Sequence, residues 1–209
     1  MSSDPPASEL PLFPLQSVLF PGGLVALKVF EARYLDLIGS CLRDGRAFGV
    51  VALRQGGEVR TRSGDKVEFA AVGTLAEVLE VDSASAGILQ LRCRGMRRFE
   101  VGERRQQSDG LWLAQATSLP DDEDCAPPPA LIEAVRGLAK AIDALKGQGV
   151  QPFLLPYRFD HAGWVANRWC EILPISLAAK QKLMELPDGQ VRLELVDEFL
   201  RSKGVLSQA

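Results

Sequence analysis

The segment from Leu10 to Tyr34 constrains the fold of this chain most, because three prolines interrupt an otherwise apolar run, LPLFPLQSVLFPGGLVALKVFEARY. Each proline fixes its own φ and pushes the preceding residue towards extended backbone, so a helix cannot pass through the segment. The residues Phe20–Gly23 predict a sharp turn, since glycine adopts a positive φ without strain. We therefore predict short extended pieces at 10–12, 17–19 and 24–29, buried in a core.

The size and charge of the chain narrow the class of protein. Its 209 residues suffice for one large domain or two small ones. The formal net charge of −3 argues against a protein whose main task is to neutralise phosphate, although a local basic patch stays open. Residues 1–8 lack the regions of a signal peptide, and no apolar run approaches the roughly 18 residues of a membrane span. We therefore expect a cytoplasmic protein with a disordered tail at 1–8 and no membrane contact.

Residues 9–119 show the patterns of a β-rich subdomain with a single helix. Apolar residues recur at three- and four-residue spacing over 31–43, which predicts an amphipathic helix that ends near Gly45. Residues 89–94 alternate between apolar and polar, as in a strand with one buried face, and Gly95 predicts a bulge or bend. We expect the other strands at 48–53, 72–81, 99–101 and 111–118, with an exposed loop at 55–66.

Residues 120–129 mark the boundary between two halves of the chain. Four consecutive acidic residues and three consecutive prolines predict an exposed linker there. Residues 130–203 then follow a helical period and predict a bundle of four helices. We expect these helices at 130–146, 160–172, 177–186 and 190–202, with Asp160, Ser176 and Asp188 as N-caps of the last three. The apolar loop 150–159 is expected to pack on the protein, and the fold class is α+β.

Six groups of residues, in order along the chain, resemble a known family. The first group is the opening segment, with its motifs L-P-L-F-P-L, V-L-F-P-G and F-E-A-R-Y, and the other five are Phe48–Val51, Val72–Val78, Arg94–Phe99, Trp164–Arg168 and Leu173–Ile175. Together they resemble the N-terminal domain of Lon protease over residues 9 to 202, and especially small bacterial proteins built on that domain alone. The resemblance implies that the β-rich half is a bent, partly closed β pseudobarrel of the PUA-like kind.

The resemblance also implies a non-catalytic module that recognises substrates. Such a module would bind unfolded or peptide segments of client proteins in an apolar groove. The sequence leaves open whether a protease or a chaperone is a further partner. The F-E-A-R-Y motif places charge inside an apolar region, so Phe30, Glu31, Arg33 and Tyr34 are the candidate protein-binding rim. The alternative is a structural clasp, in which Arg33 pairs with Glu31 or with the backbone of another strand.

A cluster of arginines supports an alternative function, an RNA-binding protein of the PUA-like kind. Arg92, Arg94, Arg97 and Arg98 form the candidate nucleic-acid patch, and strand alternation places the first two on one face. RNA readers usually add aromatic side chains for base stacking, and only Phe99 is near. The pattern therefore favours a charged outer face paired with neighbouring carboxylates such as Glu100 and Glu103.

The sequence predicts no catalytic residue, metal ligand or cofactor. His161 is the only histidine, and no nucleophile is marked as its partner. The chain contains no G-x-S-x-G, H-E-x-x-H or G-x-x-x-x-G-K-[ST] motif, and its four cysteines lie too far apart for a C-x-x-C pair. The acidic residues 121–124 lack the spacing of a calcium loop. A peptidase with an unmarked site is the least favoured alternative.

Overall fold

The computed structural model describes residues 9–57, 67–85 and 87–206. The expected tail at 1–8 and most of the expected loop at 55–66 lie outside these residues. The chain divides into two compact units. The first unit contains the residues up to Leu19 together with Val25–Leu119, and the second contains Phe20–Leu24 together with the residues from Pro120 onwards.

The described residues of the first unit form seven strands and one helix. They are β1 (Leu10–Leu15), β2 (Leu24–Val29), α1 (Ala32–Asp44), β3 (Phe48–Gln55), β4 (Glu68–Phe69), β5 (Val72–Ser85), β6 (Ile88–Gln106) and β7 (Trp112–Ser118). The strands form one bent sheet in the order β1-β7-β6-β5-β3-β4, and β2 pairs with β6. All strand pairs with a resolved register are antiparallel except β1 with β3, which is parallel. The sheet bends because β1 pairs with both β7 and β3.

Two apolar clusters hold the sheet together. The larger one lies under α1 and contains Phe13, Leu37, Phe48, Leu91 and Cys93, all of them buried. The smaller one is centred on Phe99 and contains Leu12, Val51, Phe69 and Ala114. Burial of one such side chain stabilises the fold by roughly 1.5–3 kcal/mol, so these clusters supply much of the free energy that fixes the sheet.

The helix α1 follows the expected pattern closely. Tyr34, Leu37, Ile38 and Cys41 form its buried face. Gly45 ends the helix in the left-handed conformation, with φ of 64°, and its backbone N–H bonds to the carbonyl oxygen of Cys41. The three- and four-residue spacing of apolar positions predicts the helix and its end, but it places Leu42 on the buried face, where the structure has Leu37 and leaves Leu42 50% exposed.

The long hairpin of β5 and β6 exceeds its expected length. β6 runs for 19 residues through Gly95, where separate pieces were expected on either side of a bend. The register shifts between Thr74 and Ala76, opposite Arg98 and Gly95, so the strand bulges there but continues. Residues 17–19, expected as a strand, are not one; the Leu19 carbonyl oxygen accepts a hydrogen bond from Thr74 Oγ1 over 2.6 Å instead.

The second unit is helical, as expected. After a short 3-10 turn at Pro129–Leu131 it contains α2 (Ile132–Gly147), α3 (Ala162–Ile172), α4 (Leu177–Glu185) and α5 (Gly189–Ser202). The helix α3 contacts each of the other three, and Trp169 Nε1 donates to the Ala134 carbonyl oxygen of α2 over 2.9 Å. Ser176 and Asp188 cap α4 and α5, as predicted. The cap of α3 is His161 rather than Asp160, since His161 Nδ1 accepts from the Trp164 N–H. The α+β fold class is confirmed.

Two connections of the second unit carry buried side chains. As expected, the apolar loop packs on the protein at Phe153, which is 2% exposed and whose ring meets Trp164 of α3 edge-on, with the centroids 6.3 Å apart; Leu155 of the same loop is 66% exposed. The acidic segment was expected to be solvated. The side chain of Asp122 is instead buried, with 8% of it exposed, because it forms a bidentate pair with Arg192 of α5.

Candidate binding surface

A concave surface on the β5–β6 hairpin is a candidate site among the described residues of the first unit. Its cavity, of about 560 Å³, is lined by one stretch of each of three adjacent strands. These stretches are Ala26–Lys28 of β2, Glu80–Asp82 of β5 and Gln90–Arg92 of β6. The volume lies within the range of small-ligand and side-chain pockets, so the surface has room for several side chains of a partner.

The charged groups around this cavity form cross-strand pairs. Arg92 Nη1 lies 2.8 Å from Glu80 Oε1, and these residues face each other in the strand register. One step further along the hairpin, Arg94 Nη2 lies 2.6 Å from Glu77 Oε2. Asp82 faces the neutral Gln90, so the register places no cation opposite its carboxylate.

Apolar side chains are exposed beside these charges. Leu79 and Val81 of β5 are 39% and 41% exposed, and Met96 at the bulge of β6 is 40% exposed. Scattered exposed apolar residues are normal on a protein surface. Leu79 and Val81 lie on one strand with a single residue between them, next to a cavity. Such a local group of exposed apolar side chains is a more specific feature, which a partner could cover.

The expected rim at F-E-A-R-Y is largely internal. Tyr34 is 4% exposed and stacks on Phe13 with the ring centroids 4.0 Å apart. Arg33 pairs with Glu31 over 2.8 Å and donates from Nη1 to the Gly110 carbonyl oxygen over 2.8 Å. These contacts form the structural clasp that the sequence left as the alternative. Phe30 is 49% exposed and remains available at the surface.

The candidate nucleic-acid patch is divided among different environments. Arg92 and Arg94 bond to carboxylates of β5 rather than to the expected Glu100 and Glu103. Arg98 is 3% exposed, which places it in the interior, whereas Arg97 is exposed. The four arginines therefore do not form one continuous basic surface.

The side chains that could serve in catalysis or metal binding are the histidine, the cysteines and the carboxylates. His161 accepts a backbone hydrogen bond at Nδ1, so this nitrogen is committed to the helix cap. No cluster of three potential metal ligands occurs in the described part of the chain. All four cysteines are free, and burial raises the pKa of the Cys93 and Cys170 thiols to about 12. Thiols with such high pKa values are poor nucleophiles at neutral pH.

In the second unit, Arg168 joins the turn before β2 to the helix α3. Its Nη2 donates to the Pro21 carbonyl oxygen over 2.8 Å and to Glu171 Oε1 over 2.7 Å, and its Nη1 donates to the Gly22 carbonyl oxygen. Only 1% of its side chain is exposed, and burial lowers its pKa. Both terminal nitrogens of this buried guanidinium are bonded within the second unit, whereas its Nε has no hydrogen-bond partner among the described residues, so Arg168 acts as a structural bracket rather than as a site for a partner.

A second buried cation ties the acidic segment to the bundle. Besides Asp122, Arg192 bonds to Asn167 Oδ1 over 2.9 Å and to the backbone carbonyl oxygens of Leu183 and Leu186. Gly163 and Gly189 let the backbones approach Asp122, since an added Cβ at Gly163 would lie 2.4 Å from its carboxylate. The sequence offered no sign of this network beyond the presence of the residues themselves.

Sequence reasoning did not find the cavity residues, because the register of three strands brings them together. The local sequence placed Glu80 and Val81 on a predicted strand but gave no sign that they line a cavity.

None of the helices in the described part of the chain combines the length and apolarity needed to cross a bilayer.

Comparison with known protein families gives one match that spans both units. The model described as the ATP-dependent protease La (LON) substrate-binding domain matches residues 9–202. A Lon protease of Anaeromyxobacter dehalogenans is 29% identical over 200 residues, which are 93% of this chain and 23% of that protein. Protein cereblon of Gallus gallus is 27% identical over 125 residues, 58% of this chain and 26% of cereblon. The chain thus spans about a quarter of the length of these curated relatives.

Solved structures agree with the sequence matches. The crystal structure of a Lon N-terminal domain protein from Xanthomonas campestris has a TM-score of 0.72 and 33% identity, covering 90% of this chain and 96% of that one. The N-terminal domain of a Lon protease of the Mycobacterium avium complex has a TM-score of 0.63 at 14% identity, so its likeness concerns the fold alone.

Proposed function

Because this chain belongs to the family of Lon substrate-binding domains, we propose that it binds segments of client proteins and does not act on them chemically. The observation that carries the proposal is the extent of the family match. It covers residues 9–202 and therefore both units, whereas the matched part of the curated Lon relatives is only about a quarter of their length.

The chemistry of the described residues supports a binding role. The cavity on the hairpin combines exposed apolar side chains with charged ones, as protein-binding surfaces do. The histidine caps a helix, and Cys41, Cys93 and Cys170 are buried, whereas Cys125 is half-buried. We therefore propose that the partners are unfolded or extended polypeptides, held by surface contacts alone.

Fluorescence anisotropy tests this proposal with one probe protein in two states. The purified chain is titrated into fluorescein-labelled α-lactalbumin, either native or reduced and carboxymethylated so that it stays unfolded. We expect saturable binding of the unfolded form and at least tenfold weaker binding of the native form. Equal affinity for both forms, or no binding of either, would contradict the proposal.

Two further measurements on the same samples separate this function from the alternatives. A labelled single-stranded RNA should bind weakly, and any binding should not show the loss of roughly 10³-fold or more that phosphate contacts produce between about 50 and 200 mM salt. Mass spectrometry of the unfolded probe after prolonged incubation should show the intact mass. Cleavage that persists after repurification would show that the domain is an enzyme.

A further inference from the structure

The outer edge of β5 is a strand edge without a partner in the described part of the chain. β5 pairs with β3 only through Thr74–Ala76, whereas it pairs with β6 over its whole length. Beyond Ala76 one side of β5 therefore presents backbone N–H and C=O groups that bond to no strand among the described residues. Such a row of groups is the template on which an extended polypeptide adds as a new strand.

This edge lacks two of the usual features that prevent strand addition. Native edges are commonly interrupted by proline or protected by lysine, and the residues Glu77–Ser85 contain neither. The register shifts at Leu79 and again near Ser85, but the ladder from Glu80 to Ser83 is regular. Val81, within that ladder, is 41% exposed, and Leu79, at the shift, is 39% exposed. The regular stretch is long enough for a few cross-strand pairs.

The cavity lies on the sheet next to this edge. β6 is the middle strand of the three that line it, and β5 is the outer one. A strand added beside β5 would extend this concave sheet by one strand. Alternate side chains of that strand would lie on the face of Glu80 and Asp82, and the others on the face of Val81.

Charge indicates which segments fit. Glu80 is already paired with Arg92, whereas Asp82 faces the neutral Gln90. A basic side chain on the incoming strand would supply the missing partner of Asp82, and apolar side chains would cover Val81 on the other face. We propose that a client binds by adding an extended segment with alternating apolar and basic residues to the β5 edge. This inference rests on the proposed function, because it names the site and the kind of segment for client binding.

The first test changes one valine on this edge and one elsewhere. Val81→Lys introduces the residue that protects natural strand edges, and Val191→Lys makes the same change on α5 at the same exposure, 41% against 40%. The probe is the reduced and carboxymethylated α-lactalbumin used above. We expect the affinity to fall at least tenfold for Val81→Lys and to stay within twofold of the unchanged protein for Val191→Lys.

The second test removes a charge without adding a lysine to the edge. Two labelled nine-residue peptides share alternating valines and carry either lysines or glutamates at the positions between them. We expect the unchanged protein to prefer the lysine peptide, and Asp82→Asn to lose that preference. Asp143→Asn, on the exposed side of α2, changes the net charge equally and should leave the preference as it was.

Hydrogen exchange locates binding without any substitution. Saturation with the lysine peptide should slow exchange of the backbone amides between Glu77 and Ser85. Protection confined to α2–α5 would overturn the edge as the site. Equal affinities of the Val81→Lys and Val191→Lys variants for the unfolded probe would do the same, and both outcomes would leave client binding intact. If the unchanged protein binds neither probe, the proposed function itself fails.

Discussion

At the residue scale, Glu171 combines burial with two nearby cations. Burial raises the pKa of its carboxyl from 4.5 to about 7, against the attraction of Arg168 and Lys180. The folded chain therefore holds a proton on Glu171 between roughly pH 4.5 and 7 that the unfolded chain has released. Because the native state binds more protons in that window, this residue makes the free energy of unfolding fall as pH rises.

Glu171→Gln should remove that pH dependence. We expect the free energy of unfolding to fall between pH 5 and pH 8 by about 1–3 kcal/mol more in the unchanged protein than in the variant. Urea titrations of both proteins at the two pH values measure this difference. The contributions of the other acidic groups are the same in both proteins and cancel. Parallel pH profiles of the two proteins would show that Glu171 ionises normally.

Close packing around Gly23 leaves no room for a side chain at this position. An added Cβ would lie 2.1 Å from Glu171 Oε1 and 2.9 Å from the Phe20 carbonyl oxygen. We expect Gly23→Ala to lower the free energy of unfolding by about 1–3 kcal/mol, because the backbone oxygen cannot move aside. Gly147→Ala, at the end of α2 with nothing within 4 Å, is the control and should be neutral or stabilise by up to about 1 kcal/mol. Equal unfolding midpoints would contradict the clash.

At the element scale, the caps of α3 and α5 allow a direct test of helix-start chemistry. Asp188 accepts hydrogen bonds from the Gln190 and Val191 N–H groups, whereas Asp160 precedes α3 without capping it. We expect Asp188→Ala to cost about 0.5–2 kcal/mol and Asp160→Ala less than about 0.5 kcal/mol. Thermal unfolding of both variants measures the costs. A larger loss for Asp160→Ala would mean that aspartate caps α3 in solution.

Most helices could be predicted from the sequence, because apolar periodicity and capping residues mark them locally. The helices α1, α4 and α5 start and end within a residue or so of their expected positions, since periodicity, caps and glycine define them in the sequence itself. The length of β6 could not be predicted, because a strand continues past Gly95 only where its partner strand continues too. Residues 17–19 show the reverse case, since a side chain rather than a strand satisfies the Leu19 carbonyl oxygen.

The candidate site was less predictable than the elements, because it depends on the register between strands. The partners of Arg92 and Arg94 lie on β5 and are set by the pairing of the hairpin, whereas sequence proximity suggested Glu100 and Glu103. Binding at Phe30 stays a prediction.

At the scale of the whole molecule, the chain passes between the two units three times. It enters the second unit for Phe20–Leu24, returns for Val25–Leu119, and enters it again at Pro120. The segment Phe20–Leu24 is attached to the helical unit by Arg168, which donates hydrogen bonds to the carbonyl oxygens of Pro21 and Gly22. The covalent order therefore places five residues of the helical unit inside the sequence of the β-rich one.

This connectivity predicts the behaviour of a fragment that ends at Leu119. The fragment would keep Phe20, which is fully buried in the whole chain, but would lose Arg168 and the rest of the helices. Exposure of one large apolar side chain costs roughly 1.5–3 kcal/mol, a sizeable share of the roughly 5–15 kcal/mol that stabilises a typical domain. We therefore expect a broad thermal transition and poorly dispersed amide resonances. A control fragment with Phe20→Ser should regain solubility without regaining a sharp transition. A cooperative transition in the unaltered fragment would show instead that the β-rich unit folds without the helices.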